Sequence, residues 1–286
     1  MNKTQFYTDQ LQQVIAYLRN ASNEGVTIEE LECVSNFSYR NLQRIFKARY
    51  HESIGAYLTR IKIEKAAKLL LFSKEAIKNI AFQVGYSDVQ ALSKAFKKQF
   101  GISPSRYRKQ KNELLSIKFN TNDTDMSFHH VRIESLNTKR VFYKSCKGDY
   151  FSDKIDTIWS ELEQEAIIQE IDINKAESFG IIWDEPIITE SIKCNYDACL
   201  VIPETKKIKR KNFKVKTISP NKYAVFVHIG SYKTIDKTYD KIFGQWLFNT
   251  EYEISEEPFL EFYREHQYHT DNPEEYKTEI YVPLKQ

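Results

Sequence analysis

Glu261 interrupts an otherwise apolar run, Phe259-Leu260-Glu261-Phe262-Tyr263. Strand alternation puts Phe259, Glu261 and Tyr263 on one face and Leu260 and Phe262 on the other. A carboxylate between two aromatic rings suits an aromatic cation. The rings stack on it or make cation–π contacts, and the carboxylate supplies the countercharge. Read from spacing alone, the run equally fits an edge strand whose acid faces water. Trp183, Tyr196 and Tyr232 lie near the ends of other short apolar runs and are further candidates for the same cleft, or for core.

A second chemistry is written near the N-terminus. Arg40, Gln43, Arg44 and Lys47, with Asn41 beside them, recur at helical spacing opposite Leu42, Ile45 and Phe46. Arg and Gln make bidentate contacts to guanine and adenine edges in a major groove. Downstream, Ser87, Gln90, Ala91 and Lys94 hold the equivalent positions, followed by Lys97 and Lys98. Ala91 suits a thymine methyl, and the lysines suit phosphates. The first helix is therefore expected to read bases and the second to lean on the backbone. Without their neighbours these would be ordinary solvated helix faces.

Other chemistries find little support. The four cysteines, Cys33, Cys146, Cys194 and Cys199, form no CxxC pair and read as small core residues. His266 and His269 are three apart with no ligand pattern around them, so neither a metal nor a cofactor is expected. No nucleophile triad is legible.

Charge divides the chain. Up to Lys118 there are 20 Lys and Arg against 10 Asp and Glu, a net +10. The rest holds 22 against 29, a net −7, and all three tryptophans. The formal +3 of the whole averages two halves that should meet different partners, the first a polyanion such as nucleic acid. A hydrophobic share of 41% and a charged share of 28% describe a globular protein and exclude disorder. No apolar stretch is long enough to span a bilayer, and the polar start lacks a signal-peptide core, so a cytoplasmic location is expected.

The elements that must position these residues follow from local grammar. Leu11, Val14, Ile15 and Leu18 make one helical face. Thr27 with Glu30 is a capping box for a short helix, and Ser38 opens the next after a tight turn. Ile77 to Val84 repeats this pattern, with Gly85 as a left-handed stop and Ser87 as the next cap. A long helix, about Ile54 to Leu71, joins the copies, and Pro104 starts a last short one. Residues 113–126, with the polar run Asn120 to Asp125, read as a linker. Beyond them the period changes to strands, with an internal repeat. Val141-Phe142-Tyr143 and Gly148-Asp149-Tyr150 are echoed by Val225-Phe226-Val227 and Gly230-Ser231-Tyr232. The closing strands from Tyr196 and Tyr276 match at an offset of 80. The helices between carry Trp159 and Trp246 at core spacing.

The string from Ile80 to Asp88, with Phe96 to Arg108, resembles the AraC-type DNA-binding domain, and Ser38 to Lys47 matches the same family's first helix-turn-helix. His51 stands where the family usually has Gly. The segments Tyr196-Asp197-Ala198-Cys199, Phe226 to Tyr232, Pro258 to Tyr263 and Glu279 to Leu284 resemble the GyrI-like effector-binding domain. Together these imply a Rob-like architecture and a multidomain fold. An all-α unit with two helix-turn-helices (1–112) precedes an α+β unit (127–286) built from a duplicated β-β-α-β-β motif. The resemblance implies promoter DNA, a small cationic or aromatic effector and, for an activator, RNA polymerase as partners of a monomer or weak dimer. It also gives Glu261 the role of ligand countercharge. A small-molecule hydrolase or a protein-binding module is the alternative for the second half, although no enzyme is expected.

Overall fold

The structure is a computed structural model, and it describes residues 3–21, 25–111, 113, 131–208, 214–267 and 269–285. Most of the expected linker and residues 209–213 lie outside that set. The chain forms two compact units, Met1–Lys111 and Asn112–Gln286.

The first unit is helical: α1 (Lys3–Asn20), α2 (Ile28–Ser35), α3 (Tyr39–Tyr50), α4 (Ile54–Phe72), α5 (Ile77–Gln83), α6 (Val89–Phe100) and α7 (Pro104–Lys109). Both reciprocal hydrogen bonds of the Thr27–Glu30 capping box form. Asn36 and His51 end α2 and α3 in the left-handed region, at φ 54° and 60°. His therefore fills the turn where the resembled family has Gly, a conformation that costs a residue with a Cβ some strain. Ser38 takes the N-cap position of α3 without a side-chain bond. At α6 the cap is Asp88, not Ser87: the Asp88 carboxylate accepts from Ala91 N–H at 2.8 Å, and Ser87 Oγ donates to Asp88. A carboxylate meets the positive end of a helix better than a hydroxyl does.

Helix α4 holds both motifs. Arg60 donates two bonds to Glu52, at the turn after α3, and one to Glu64. Lys62 Nζ donates to the carbonyl of Gly85, in the turn between α5 and α6. Leu11, Leu18, Leu42, Phe46 and Tyr57 fill the core around the first motif.

The second unit is one eight-stranded antiparallel sheet in the order β1-β6-β8-β7-β3-β4-β2-β5. Its strands are β1 (Arg132–Leu136), β2 (Lys139–Lys147), β3 (Ser178–Ile182), β4 (Asn195–Val201), β5 (Lys214–Ile218), β6 (Asn221–Ile229), β7 (Phe259–Glu265) and β8 (Lys277–Leu284). Helix α8 (Asp153–Ile168) follows β2. Helix α9 (Ile235–Lys241), prolonged by a π-helical turn over Ile242–Trp246, follows β6.

Exchanging β1 for β5, β2 for β6, β3 for β7 and β4 for β8 reverses the strand order into itself. The duplicated β-β-α-β-β unit is thus arranged about a pseudo-twofold through the β3–β7 junction. Each half lends its first strand to the other, since β1 pairs with β6 and β5 with β2. Hydrogen-bond register sets the true repeat. Arg132↔Val225 and its counterpart Lys214↔Tyr143 are both ladder pairs, an offset of 82. Strand starts 139→221 and 195→277 keep that value. The offset of 80 for the closing strands is therefore corrected to 82, and Val141 is matched by Tyr223. Matching by residue type slid each strand by two, which preserves the face and so conceals the error.

Candidate functional site

On α3, Arg40, Gln43, Arg44 and Lys47 are all exposed in one stripe, with Leu42 and Phe46 buried beneath. Asn41 is half-buried, and its side-chain oxygen accepts from the Arg44 guanidinium at 3.0 Å. On α6, Gln90, Lys94, Lys97 and Lys98 are exposed, Ala91 is half-buried and Ser87 is exposed ahead of the helix. Leu92 and Phe96 anchor the far side. Each motif so presents a polar stripe fixed by a two-residue apolar anchor.

In the second unit, Glu261 lies on the sheet face covered by the helices. The strand alternation expected around it holds: Leu260 and Phe262 join the core on the other face, with Phe179 and Tyr281. Glu261 is 8% exposed. Tyr239, from α9, donates to its Oε1 at 2.7 Å, and Tyr263 donates to its Oε2 at 3.1 Å. Tyr263 Oη lies 2.8 Å from Tyr196 Oη, and Trp159 Nε1 donates to Tyr196 Oη at 2.9 Å. The indole N–H has no acceptor capacity, and Tyr263 directs its one O–H toward the carboxylate. The chain therefore runs one way, from Trp159 through Tyr196 and Tyr263 to Glu261.

Burial sets the electrostatics. Removal from water pushes the Glu261 carboxyl above its ordinary pKa, against the opposing effect of the two tyrosine bonds. Burial also holds the Tyr196, Tyr239 and Tyr263 hydroxyls well above the usual tyrosine value, so they act as neutral donors. Aromatic rings surround the acid. Tyr232 stands edge-on to Tyr263 at 5.4 Å, Trp159 does so at 5.5 Å, and Phe259 stacks on Phe243 at 5.6 Å.

The pseudo-twofold explains the crowding. Glu261 pairs directly across the ladder with Gly180, its counterpart in the other half, because β3 and β7 (178→259) are offset by 81 where the other strands are offset by 82. A Cβ on Gly180 would lie 2.5 Å from Tyr196 Oη and 2.7 Å from a ring carbon. Glycine there admits the Tyr196 ring over the strand, beside the acid.

Of the candidate residues, Phe259, Tyr196, Tyr232 and Tyr263 share the face of Glu261. Trp183 does not, and that expectation is corrected. Phe179, Ile181 and Trp183 alternate onto the opposite face, where the indole donates to Asp197 at 2.7 Å and carries Lys216 over its ring. Trp159, read as packing, instead starts the hydrogen-bond chain. Tyr239, not among the candidate residues, is the shortest contact of the carboxylate. Among the described residues no cluster of three or more His, Cys, Asp or Glu could hold a metal ion, and no helix is long and apolar enough to cross a membrane.

Comparison with known proteins agrees with this division. The GyrI-like small molecule binding domain matches residues 129–285, and a helix-turn-helix domain matches residues 34–110. The raffinose operon transcriptional regulatory protein RafR of Pediococcus pentosaceus is 37% identical over 102 residues, 36% of this chain and 37% of that protein. The lactose operon transcription activator of Staphylococcus xylosus is 32% identical over 100 residues, 35% of this chain and 36% of that protein. The match thus spans little more than a third of these relatives. Among solved structures, the EcmrR–DNA complex has a TM-score of 0.49 at 16% identity, covering 68% of this chain and 72% of that one. With one family matching more than half of its length, the chain belongs to the GyrI-like small-molecule-binding family, here carried behind an AraC-type helix-turn-helix domain.

Proposed function

We propose that the chain is a one-component transcription regulator that holds promoter DNA through its helical unit and senses a small aromatic cation at Glu261. The working division is 1–112 for DNA, 113–126 as linker and 127–286 for the effector. The observation that carries the sensing half is the buried carboxylate. Both its oxygens meet neutral hydroxyls, not cations, so its charge is hydrogen-bonded but not neutralised. An aromatic cation would neutralise it while packing its rings on the surrounding ones. The protein acts by binding and not by catalysis, in the cytoplasm. It raises transcription, which is what the name of the Staphylococcus xylosus relative says of that protein, and RNA polymerase is the partner through which it does so.

Two helix-turn-helices on one chain can occupy successive major grooves about 34 Å apart, so a monomer suffices for a two-part site. The exposed stripe of α3, with Arg40, Asn41, Gln43, Arg44 and Lys47, reads bases, while Lys94, Lys97 and Lys98 of α6, beside Ser87, Gln90 and Ala91, hold the duplex mainly through phosphates.

The test of the sensing half is titration of the full chain with tetraphenylphosphonium, followed by calorimetry and by fluorescence of Trp159. The wild type binds, and Glu261→Gln weakens binding by about tenfold or more, the scale of one lost charge interaction. Equal affinity of the two proteins removes Glu261 as countercharge.

A further inference from the structure

Beside the carboxylate stands a hydroxyl with nothing to do. Thr278 is 0% exposed, and its Oγ1 is buried without a hydrogen-bond partner. It lies on β8, on the same sheet face as Glu261, directly across the ladder from Tyr263 on one side and His228 on the other. Both neighbours are engaged elsewhere. Tyr263 bonds Glu261 and Tyr196. The His228 nitrogens meet Thr238 Oγ1 at 2.9 Å and the Ser231 carbonyl at 3.1 Å. A buried hydroxyl left unpaired is unfavourable, and it calls for an explanation.

The repeat sharpens the point. At the offset of 82, Thr278 is the counterpart of Tyr196. Tyr196 fills the space over Gly180 with a ring and uses its hydroxyl fully. In the other half a small side chain replaces that ring, and its hydroxyl is left unused. The two halves differ here in bulk and in hydrogen bonding, on the face where the acid sits.

We propose that Thr278 is the second recognition point of the effector site, and that the preferred effector is an aromatic cation bearing a hydrogen-bonding oxygen. Glu261 is opposite Ile280, two residues along β8 from Thr278. Two strand residues span roughly 7 Å, so the oxygen sits about that far from the charge. The acid fixes the cation, the rings fix its plane, and Thr278 fixes which end of the molecule points along β8. This rests on the proposed role of Glu261, which the tetraphenylphosphonium titration tests separately, because that cation has no hydrogen-bonding group.

The experiment uses a matched pair of probes on the full chain. In (4-acetylphenyl)trimethylammonium a carbonyl oxygen lies at about the required distance from the charge. In (4-isopropenylphenyl)trimethylammonium a methylene replaces that oxygen at nearly the same shape. The wild type is expected to bind the acetyl compound about tenfold tighter than the isopropenyl one. Thr278→Val is expected to erase that difference while leaving the isopropenyl compound unchanged, and Thr278→Ser to restore it. Without ligand, Thr278→Val should melt no lower than the wild type, because no hydrogen bond is lost. A wild type that does not distinguish the probes overturns the proposal, as does a preference that survives in Thr278→Val. Failure of both probes beside Glu261-dependent binding of tetraphenylphosphonium overturns it too and leaves the Glu261 reading intact. Failure of all three cations removes both.

Discussion

Glu261 and Gly180 face each other at the centre of the sheet, and each makes sense only with the other. The acid titrates late because burial disfavours its charged form. The folded protein then holds the proton more tightly than the unfolded chain does. Stability is fully present below the ordinary glutamate pKa and is lost as pH rises through the raised one. With Glu261 as the proposed countercharge, cation affinity is expected to run the other way, rising over the same interval as the carboxylate forms. Glu261→Gln should abolish both slopes, which thermal melts and calorimetric titrations across pH 4–8 would check. Gly180→Ala should cost about 1–3 kcal/mol, the range for overpacking, and should disturb the Tyr196–Tyr263 contact. An unchanged melting temperature would mean that Tyr196 moves aside freely. The acid itself was legible as a lone charge in an apolar run. Its partner Tyr239 was not, because an aromatic on the inward face of a helix reads as core until its hydroxyl is seen to meet something. Trp183 was misplaced because it follows the last residue of β3, where a run this short does not reveal its face.

At the scale of elements, α4 does more than connect. Arg60 reaches back to the turn after α3, and Lys62 reaches forward to the turn before α6. One rigid helix thereby fixes where both polar stripes stand. Arg60→Ala would remove a largely buried guanidinium that bonds both Glu52 and Glu64. The expected cost is about 3 kcal/mol, the scale for breaking a buried ion pair, read as a lower melting temperature of the helical unit and weaker DNA binding. A change confined to a few tenths would mean that water replaces the guanidinium. The helix ends were readable because caps and left-handed stops are local chemistry. Only Ser87, beside an acid that competes for the same amide, was assigned the wrong part. Strand register was not readable to better than two residues, because it is set by ladders between strands distant in sequence, such as β1 with β6 and β2 with β5.

For the whole molecule, the net +10 lies in the half that carries the proposed DNA contacts, and two substitutions within it distinguish base reading from phosphate contact. Arg44→Ala should cost about 1–3 kcal/mol on the preferred site and relax base preference. Lys97→Ala should weaken all sequences alike and reduce the salt slope by about 0.9 for one lost phosphate contact. Binding to a specific and a scrambled duplex at several salt concentrations separates the two outcomes. Arg44 starts from a bond to Asn41 in the free protein, so the proposed base contact would include the exchange of one partner for another.

The exchange of β1 and β5 between the halves carries a consequence for ancestry. A chain with only one repeat could complete such a sheet only by pairing with a second copy and trading first strands. In that symmetric pair the two central residues would be the same: two acids forced together, or two glycines with no acid at all. Joining the copies in one polypeptide is what lets the positions differ, so that a single carboxylate stands on the axis with a tyrosine ring folded over its glycine opposite. The lone charge needs the duplication to have been followed by divergence, and an assembly of identical halves could not have produced it.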